Sequence, residues 1–438
     1  MNHSPAPLRT VGFFTACGIV VANIIGTGVF TSLGFQVADI HSGFALLMLW
    51  VVGGIAALCG ALCYGELSAA LPRSRGEYHF LSEVYHPALG FMAGFISATV
   101  GFAAPIALAA MAFGKYFHGI FNFGSPTLLS FILVWIVAAF HFGNLRLGSA
   151  FQNIWTIVKL VLIGALIAAG FLAEEKQPVH FLPQTGDSSS IFGGAFAVSL
   201  VWVMYSYSGW NASSYIIGEV KNPARTIPRS LLVGTLIVIV AYVFLNAMFL
   251  ATTPQSEIRN QVEVGLIAGK HIFGENGGRV VGGIICLGLI SAISSMTWIG
   301  PRVTMSMGED HWLLRFLGRK NAHGVPANAV IVQLMIVNLL LLTRSFELVV
   351  VYIQFALLLC SLLTVAGVIV LRRRKPNISR PYRVWFYPIP PLIFSAITIW
   401  MMIYLLKSKT MESVAGLITA IGGLLLYFCA GKRVSAAQ

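Results

Sequence analysis

Twelve apolar stretches follow one another along the chain, at roughly 11–38, 43–71, 84–114, 127–142, 149–173, 191–217, 230–253, 278–304, 326–343, 347–371, 387–406 and 411–431. A helix needs about 20 consecutive apolar residues to cross a bilayer core. Runs of this length and number exclude a soluble fold and predict an all-α integral membrane protein with 12 transmembrane helices. Composition agrees, since 57% of the residues are hydrophobic and 10% are charged, against about 25% charged in a soluble chain. The opening MNHSPAPLRT enters the first run without a small-residue cleavage site, so no removable signal peptide is expected.

The basic residues fix the expected orientation. With the N-terminus in the cytoplasm, 19 of the 28 Lys and Arg fall in inner loops and eight in outer ones, and Lys159 alone lies mid-run. This is the positive-inside pattern, and an even number of spans puts both termini in the cytoplasm of a cell (inner) membrane protein. The net charge of +13 therefore reflects loops beside the bilayer rather than a nucleic-acid partner. The longest basic run, LRRRKPNISRPYR (371–383), reads as a topology anchor next to anionic lipid. The six cysteines fall in apolar stretches without metal-ligand spacing and read as small core residues. The histidines lie in loops or at span ends, and neither a metal nor a cofactor is expected.

Two of the runs are interrupted. NIIGTGVF (23–30) puts two glycines and a threonine at membrane depth, and YSYSGWNASSY (205–215) is rich in serine. A single Gly-x-Gly also suits close helix packing. The first run is 28 residues long, however, which leaves room for two half-helices, and the second interruption breaks the sixth run at the same depth. Irregular backbone at this depth is tolerated only where it lines a cavity or is buried in protein. Paired breaks in corresponding spans of two halves point to a transporter binding site. Helix N-termini offer N–H groups to a carboxylate, and helix C-termini offer carbonyls to an ammonium. Two facing breaks would therefore hold an α-amino acid without a charged side chain.

These same segments resemble the amino acid–polyamine–organocation (APC) superfamily. NIIGTGVF looks like its first-span signature. YSYSGWNASSYIIGEVKNPARTIPRSL (205–231) is similar to the sixth span and following loop of its L-type amino acid transporter branch. RGEYHFLSEVYHPALGFMAGF (75–95), GPRVTMSMGEDHWL (300–313) and GVPANAV (324–330) match the third, eighth and ninth spans. The resemblance implies a LeuT-type fold. Residues 1–175 would form a first five-helix repeat and 176–375 an inverted second one, with 376–438 as accessory helices and a cytoplasmic tail. It also implies roles by position. Thr27, Gly28 and Val29 would give N–H groups to the substrate carboxylate, and the carbonyls of Ile24, Tyr205, Ser206 and Ser208 would face the ammonium. Tyr205 would gate the site, and Trp210 and Asn211 match the family's "WN". The family often has glycine or alanine where this chain has Ser206 and Ser208, which favours small neutral substrates such as alanine or serine.

Lys159 lies nine residues into its apolar run. An ionisable group there is a functional candidate, although a long stem also lets lysine snorkel to an interface. In sodium-independent members of the superfamily, a span-five lysine takes the place of a bound cation. Lys159 would then bridge the first break to Ser291, Ser294 and Ser295 of the eighth span. No HExxH, GxSxG, paired carboxylates, dinucleotide fingerprint or Walker A sequence accompanies these features, so an enzyme and a nucleotide-driven pump are excluded. A transporter-derived receptor would be expected to carry a soluble domain; the longest loops (near 174–190 and 254–277) hold about two dozen residues or fewer. The expected function is sodium-independent exchange of neutral L-amino acids by alternating access, with proton-coupled symport as the alternative. The loop KYFHGIFNFGSP (115–126) has no cysteine, so no disulfide-linked heavy chain is expected.

Overall fold

The computed structural model describes residues 9, 11–73, 76–143, 147–321 and 325–429. Arg75, Arg146, Lys432 and Arg433, four of the basic residues assigned to the cytoplasmic side, lie outside the described residues, as does Gly324. The first apolar stretch forms two helices, α1 (Phe13–Ile24) and α2 (Ser32–Asp39), separated by a 3-10 turn at Gly28–Phe30. By contrast, α3 (Gly43–Ala70) runs unbroken from an N-cap in which Ser42 Oγ accepts the Ala45 N–H at 3.2 Å. A short α4 (Gly76–Val84) precedes α5 (Pro87–Ile96), which passes through a π-helical turn at Ser97–Gly101 into α6 (Ala103–Phe121). Next come α7 (Pro126–Gly143), α8 (Leu147–Leu172) and the short α9 (Asp187–Ile191).

The sixth stretch breaks like the first. α10 (Gly194–Tyr207) stops at Tyr207, and 3-10 turns at Ala212–Tyr215 and Ile217–Glu219 lead into α11 (Pro223–Thr252). α12 (Gln255–Ile258) is followed by α13 (Val264–Asp310), which kinks at Gly274, where φ is +73°. The chain ends with α14 (Ala327–Leu342), α15 (Phe346–Arg374), α16 (Ile389–Ser408) and α17 (Thr410–Cys429). Among the described residues there is no strand, only a single parallel bridge between Val11 and Val220.

Among the described residues, seven helices are long and apolar enough to cross a membrane, and five shorter apolar helices occupy the remaining predicted stretches. The short ones include α1 and α10, which are short because each stops at its break. Large apolar side chains such as Leu128, Trp135, Leu339 and Leu425 are more than half exposed, as expected of a multi-pass protein whose outer solvent is lipid. Glycines allow the inner helices to close on one another. A Cβ on Gly54 of α3 would lie 2.9 Å from Ile239 of α11, and one on Gly234 of α11 would lie 2.8 Å from Val20 of α1.

Three expectations need correction. Segment 254–277 is largely helical, as α12 and the start of α13, and α6 runs on to Phe121, so little loop remains after the third stretch. Hydropathy marks the part of a helix that lipid touches, whereas the helix itself continues as long as its backbone bonds do. Five cysteines are buried as expected, but Cys429 is exposed at the end of α17.

Candidate functional site

The two breaks lie against each other. Gly28 packs so closely on the second break that a Cβ there would sit 2.6 Å from Ser206 Cα, and Gly209 stands in the same relation to Asn23, 2.7 Å from its carbonyl oxygen. Gly209 also has φ +98°, so both conformation and contact require glycine there. Ser206 Oγ pairs with Ser32 Oγ at 2.9 Å and donates to the Trp202 carbonyl at 2.8 Å, tying α2 to α10.

At the first break the helical ladder fails over three residues. Among the described residues the N–H groups of Thr27, Gly28 and Val29 have no acceptor, while the bonds resume with Phe30 N–H to Thr27 O and Thr31 N–H to Gly28 O. Three of the four carbonyls expected to face an ammonium, those of Ile24, Tyr205 and Ser206, are already engaged. Ile24 O accepts the Tyr242 hydroxyl at 2.8 Å and the Gly26 N–H at 2.8 Å. Ser206 O accepts the same Tyr242 hydroxyl at 3.3 Å, and Tyr205 O accepts both the N–H and the hydroxyl of Ser208. Tyr242, on α11, thus bridges the two breaks where a cationic group was expected. Its only sequence signal is a lone phenol in the apolar run VIVAYVF (238–244).

One side of the breaks is sealed by aromatic rings. Phe35 of α2 stacks on Trp202 of α10 at 4.2 Å and on Phe346 of α15 at 5.9 Å, and Tyr205 meets Phe346 edge-on at 6.3 Å. On the other side a cavity of about 780 Å³ extends to the end of the bundle carrying Val11, Glu219 and Arg302. Of the nine residues expected to bind substrate, Ser208, Trp210 and Asn211 line this cavity, whereas Ile24, Thr27, Gly28, Val29, Tyr205 and Ser206 are buried behind it. Trp210 rests on Gly60 and Tyr64 of α3 and on Phe394 of α16, so it is packed as well as cavity-facing.

Lys159 is 6% exposed, and its Nζ donates to the Ile25 carbonyl at 2.7 Å, inside the first break. The expected bridge to the eighth-span serines is not formed. The lysine stem passes Gly288 of α13, and Ser294 Oγ instead pairs with His141 Nε2 at 2.8 Å. Ser291 is buried on α13, and the acceptor of the ammonium is the Ile25 carbonyl. The His141 imidazole on α7 is a better-placed partner for Ser294 than an ammonium directed at α1.

Two carboxylates lie toward the same end of the bundle as the cavity mouth or in the helix beside it, Glu66 on α3 and Glu219 after the second break. Glu66, fully buried on α3, accepts Arg372 Nε at 2.8 Å, Arg372 Nη2 at 2.6 Å and the Val384 N–H at 2.7 Å. The basic run 371–383 is therefore largely committed to protein: Arg374 donates to the Val84 and Tyr85 carbonyls and Lys375 pairs with Glu83. Glu219 lies at the cavity mouth with Arg302, whose guanidinium stacks over Trp298 at 3.8 Å.

Comparison with known proteins agrees with this geometry. A family model for amino acid permeases matches residues 11–425. The human b(0,+)-type amino acid transporter 1 is 25% identical, over 96% of this chain and 87% of its own length. The serine/threonine exchanger SteT of Bacillus subtilis (strain 168) is 26% identical over 97% of both chains. The mouse large neutral amino acids transporter small subunit 2 is 26% identical, over 96% of this chain and 80% of its own. An all-helical membrane chain with two facing breaks, matched by that model over nearly its whole length, belongs to the amino acid permease family of the APC superfamily.

Proposed function

We propose that this protein is a sodium-independent exchanger of small neutral L-amino acids that works by alternating access. In this reading it has 12 spans in a LeuT-type fold, with inverted repeats at 1–175 and 176–375, accessory helices at 376–438 and both termini in the cytoplasm. It acts as a single chain in the cell membrane, without a disulfide-linked partner. The observation that carries the reading is the pair of facing breaks, with three N–H groups lacking acceptors beside two carbonyls that share one hydroxyl. A carboxylate suits the N–H groups. An ammonium would replace Tyr242 at the carbonyls of Ile24 and Ser206. The tight contact of Gly28 with Ser206 supports a small substrate, and the exchanger among the relatives supports exchange. The buried ammonium of Lys159 supports sodium independence, because a positive charge bound inside the first break repels a second cation.

The test is uptake of radiolabelled L-alanine into liposomes holding the purified protein. Uptake is expected to require unlabelled alanine inside, to be equal in sodium and choline, and to resist competition by L-alaninamide and N-acetyl-L-alanine. Equal uptake into empty liposomes would refute exchange. Strong competition by either blocked derivative would refute recognition of both charged ends.

A further inference from the structure

Glu77 stands outside the site described so far. It lies on α4, ahead of the third span, is 4% exposed, and contributes to the cavity wall close to the second break. Its carboxylate accepts the Tyr64 hydroxyl of α3 in a short hydrogen bond and the Ser361 hydroxyl of α15 at 3.2 Å. The preceding Gly76 has φ +52°, and the Tyr215 ring packs onto its Cα where a side chain would otherwise stand. Tyr215 itself follows Asn211 by one turn and also lines the cavity.

The titratable groups facing this carboxylate are Tyr64 from α3, Tyr215 from the turn after the second break and Cys360 from α15. The α5 segment PALGFMAGFI contributes none. Charged groups on the neighbouring elements have other partners or positions: Glu66 holds Arg372, Tyr78 holds Asp310, and Arg302 stacks on Trp298. Among the described residues the carboxylate of Glu77 has no cationic partner. A buried carboxylate that meets only hydroxyl donors is strongly disfavoured as an anion, and burial pushes the Glu77 carboxyl above its ordinary range.

We propose that Glu77 is a proton-binding site in the cavity wall, which takes a proton from cavity water and allows the cavity beside it to close only in its neutral form. In the open cavity, water reaches the edge of the carboxyl that faces it. Closing the cavity removes that water, and the proton, now on a carboxylate oxygen, cancels a charge that no cation among the described residues offsets. Protonation and closure are linked, so exchange falls as pH rises through the Glu77 pKa. The consequence for exchange rests on the transport reading above; the protonation itself does not.

Two measurements test this on the full-length protein. Infrared spectra of the purified parent and Glu77→Gln are compared at neutral pH. The parent is expected to show a protonated-carboxyl C=O band that Glu77→Gln lacks and that disappears on alkalinisation. An identical pair of spectra would overturn the proposal, whatever the protein transports. L-Alanine exchange is then followed against pH in liposomes. The parent rate is expected to fall at least tenfold across the alkaline limb, Glu77→Asp to keep a displaced limb, and Glu77→Gln to have a flat profile. A parent-like limb in Glu77→Gln would show that another group carries the pH dependence and would overturn the coupling. If neither protein exchanged alanine, the infrared result would still decide for or against the proton site, while the transport reading alone failed.

Discussion

Lys159 shows how much a single residue reveals before its partners are known. A lysine nine residues into an apolar run is visibly out of place, and that alone marks it as a candidate. Its acceptor, Ile25 O, is 134 residues away and contributes only a carbonyl, which no residue type announces. The same holds for Tyr242, whose acceptor at Ile24 is 218 residues distant, and for Glu77, whose donors come from two other helices. Glycine is different, because its constraint is local. Gly28 and Gly209 are legible within the two interrupted runs, and the neighbours that exclude a side chain there are Ser206 and Asn23. The Lys159 contact leads to a prediction. A hydrogen bond to a charged group contributes about 1.5–3 kcal/mol, so Lys159→Ala releases the first break by that order. Alanine binding to detergent-solubilised protein is expected to stay within about threefold of the parent, while exchange falls roughly tenfold or more. Parent-like exchange by Lys159→Ala would reduce the lysine to a packing role.

At the level of elements, the basic segment after α15 behaves as a strap. Its charge pattern suggested a surface beside lipid, and charge does say which side of the membrane a loop occupies. Charge pattern says nothing about which carboxylate lies underneath. Here Arg372 and the Val384 N–H converge on Glu66, Arg380 approaches it at 3.7 Å, and Arg374 and Lys375 hold the end of α4. The strap thereby joins α15 to α3 and α4, and Tyr382 closes against Gly65 of α3. Glu66 is fully buried, whereas the Arg372 side chain is 23% exposed, so removing the carboxylate leaves the arginine partly hydrated but strips the centre of the cluster. Breaking a buried pair costs about 3–5 kcal/mol, and solvent at the arginine places Glu66→Ala at the lower end of that range. Its melting temperature in detergent is expected to drop clearly, with Glu66→Gln intermediate because an amide oxygen still accepts. An unchanged melting curve for Glu66→Ala would mean that the strap contributes no stability.

For the whole molecule, the arrangement is asymmetric about the breaks. Stacked rings of Phe35, Trp202 and Phe346 close one side, and the cavity reaches the other, where Val11 pairs with Val220 and so ties the start of α1 to the segment leaving the second break. The charge pattern assigns the Val11 end to the cytoplasm, which makes this an inward-facing arrangement in the proposed topology. The run lengths and the breaks predict the long apolar helices, though not the helical stretch over 254–277. They could not predict which side was open, because sealing depends on ring contacts between α2, α10 and α15, which are far apart in the chain. A labelling experiment joins orientation to alternating access. With the exposed Cys429 changed to Ser, single cysteines are placed at Ala22, which lines the cavity, and at Asp39, exposed beyond the aromatic seal. A membrane-impermeant maleimide is expected to reach Ala22→Cys in inside-out vesicles and not in intact cells, and Asp39→Cys in the reverse sense. Saturating L-alanine should slow labelling at Ala22→Cys by severalfold, because the carrier then spends part of its time with the cavity closed to that side, and should leave Asp39→Cys unaffected. Labelling of Ala22→Cys from the outside alone would invert the assigned topology. Equal labelling with and without alanine would separate the cavity from the substrate cycle.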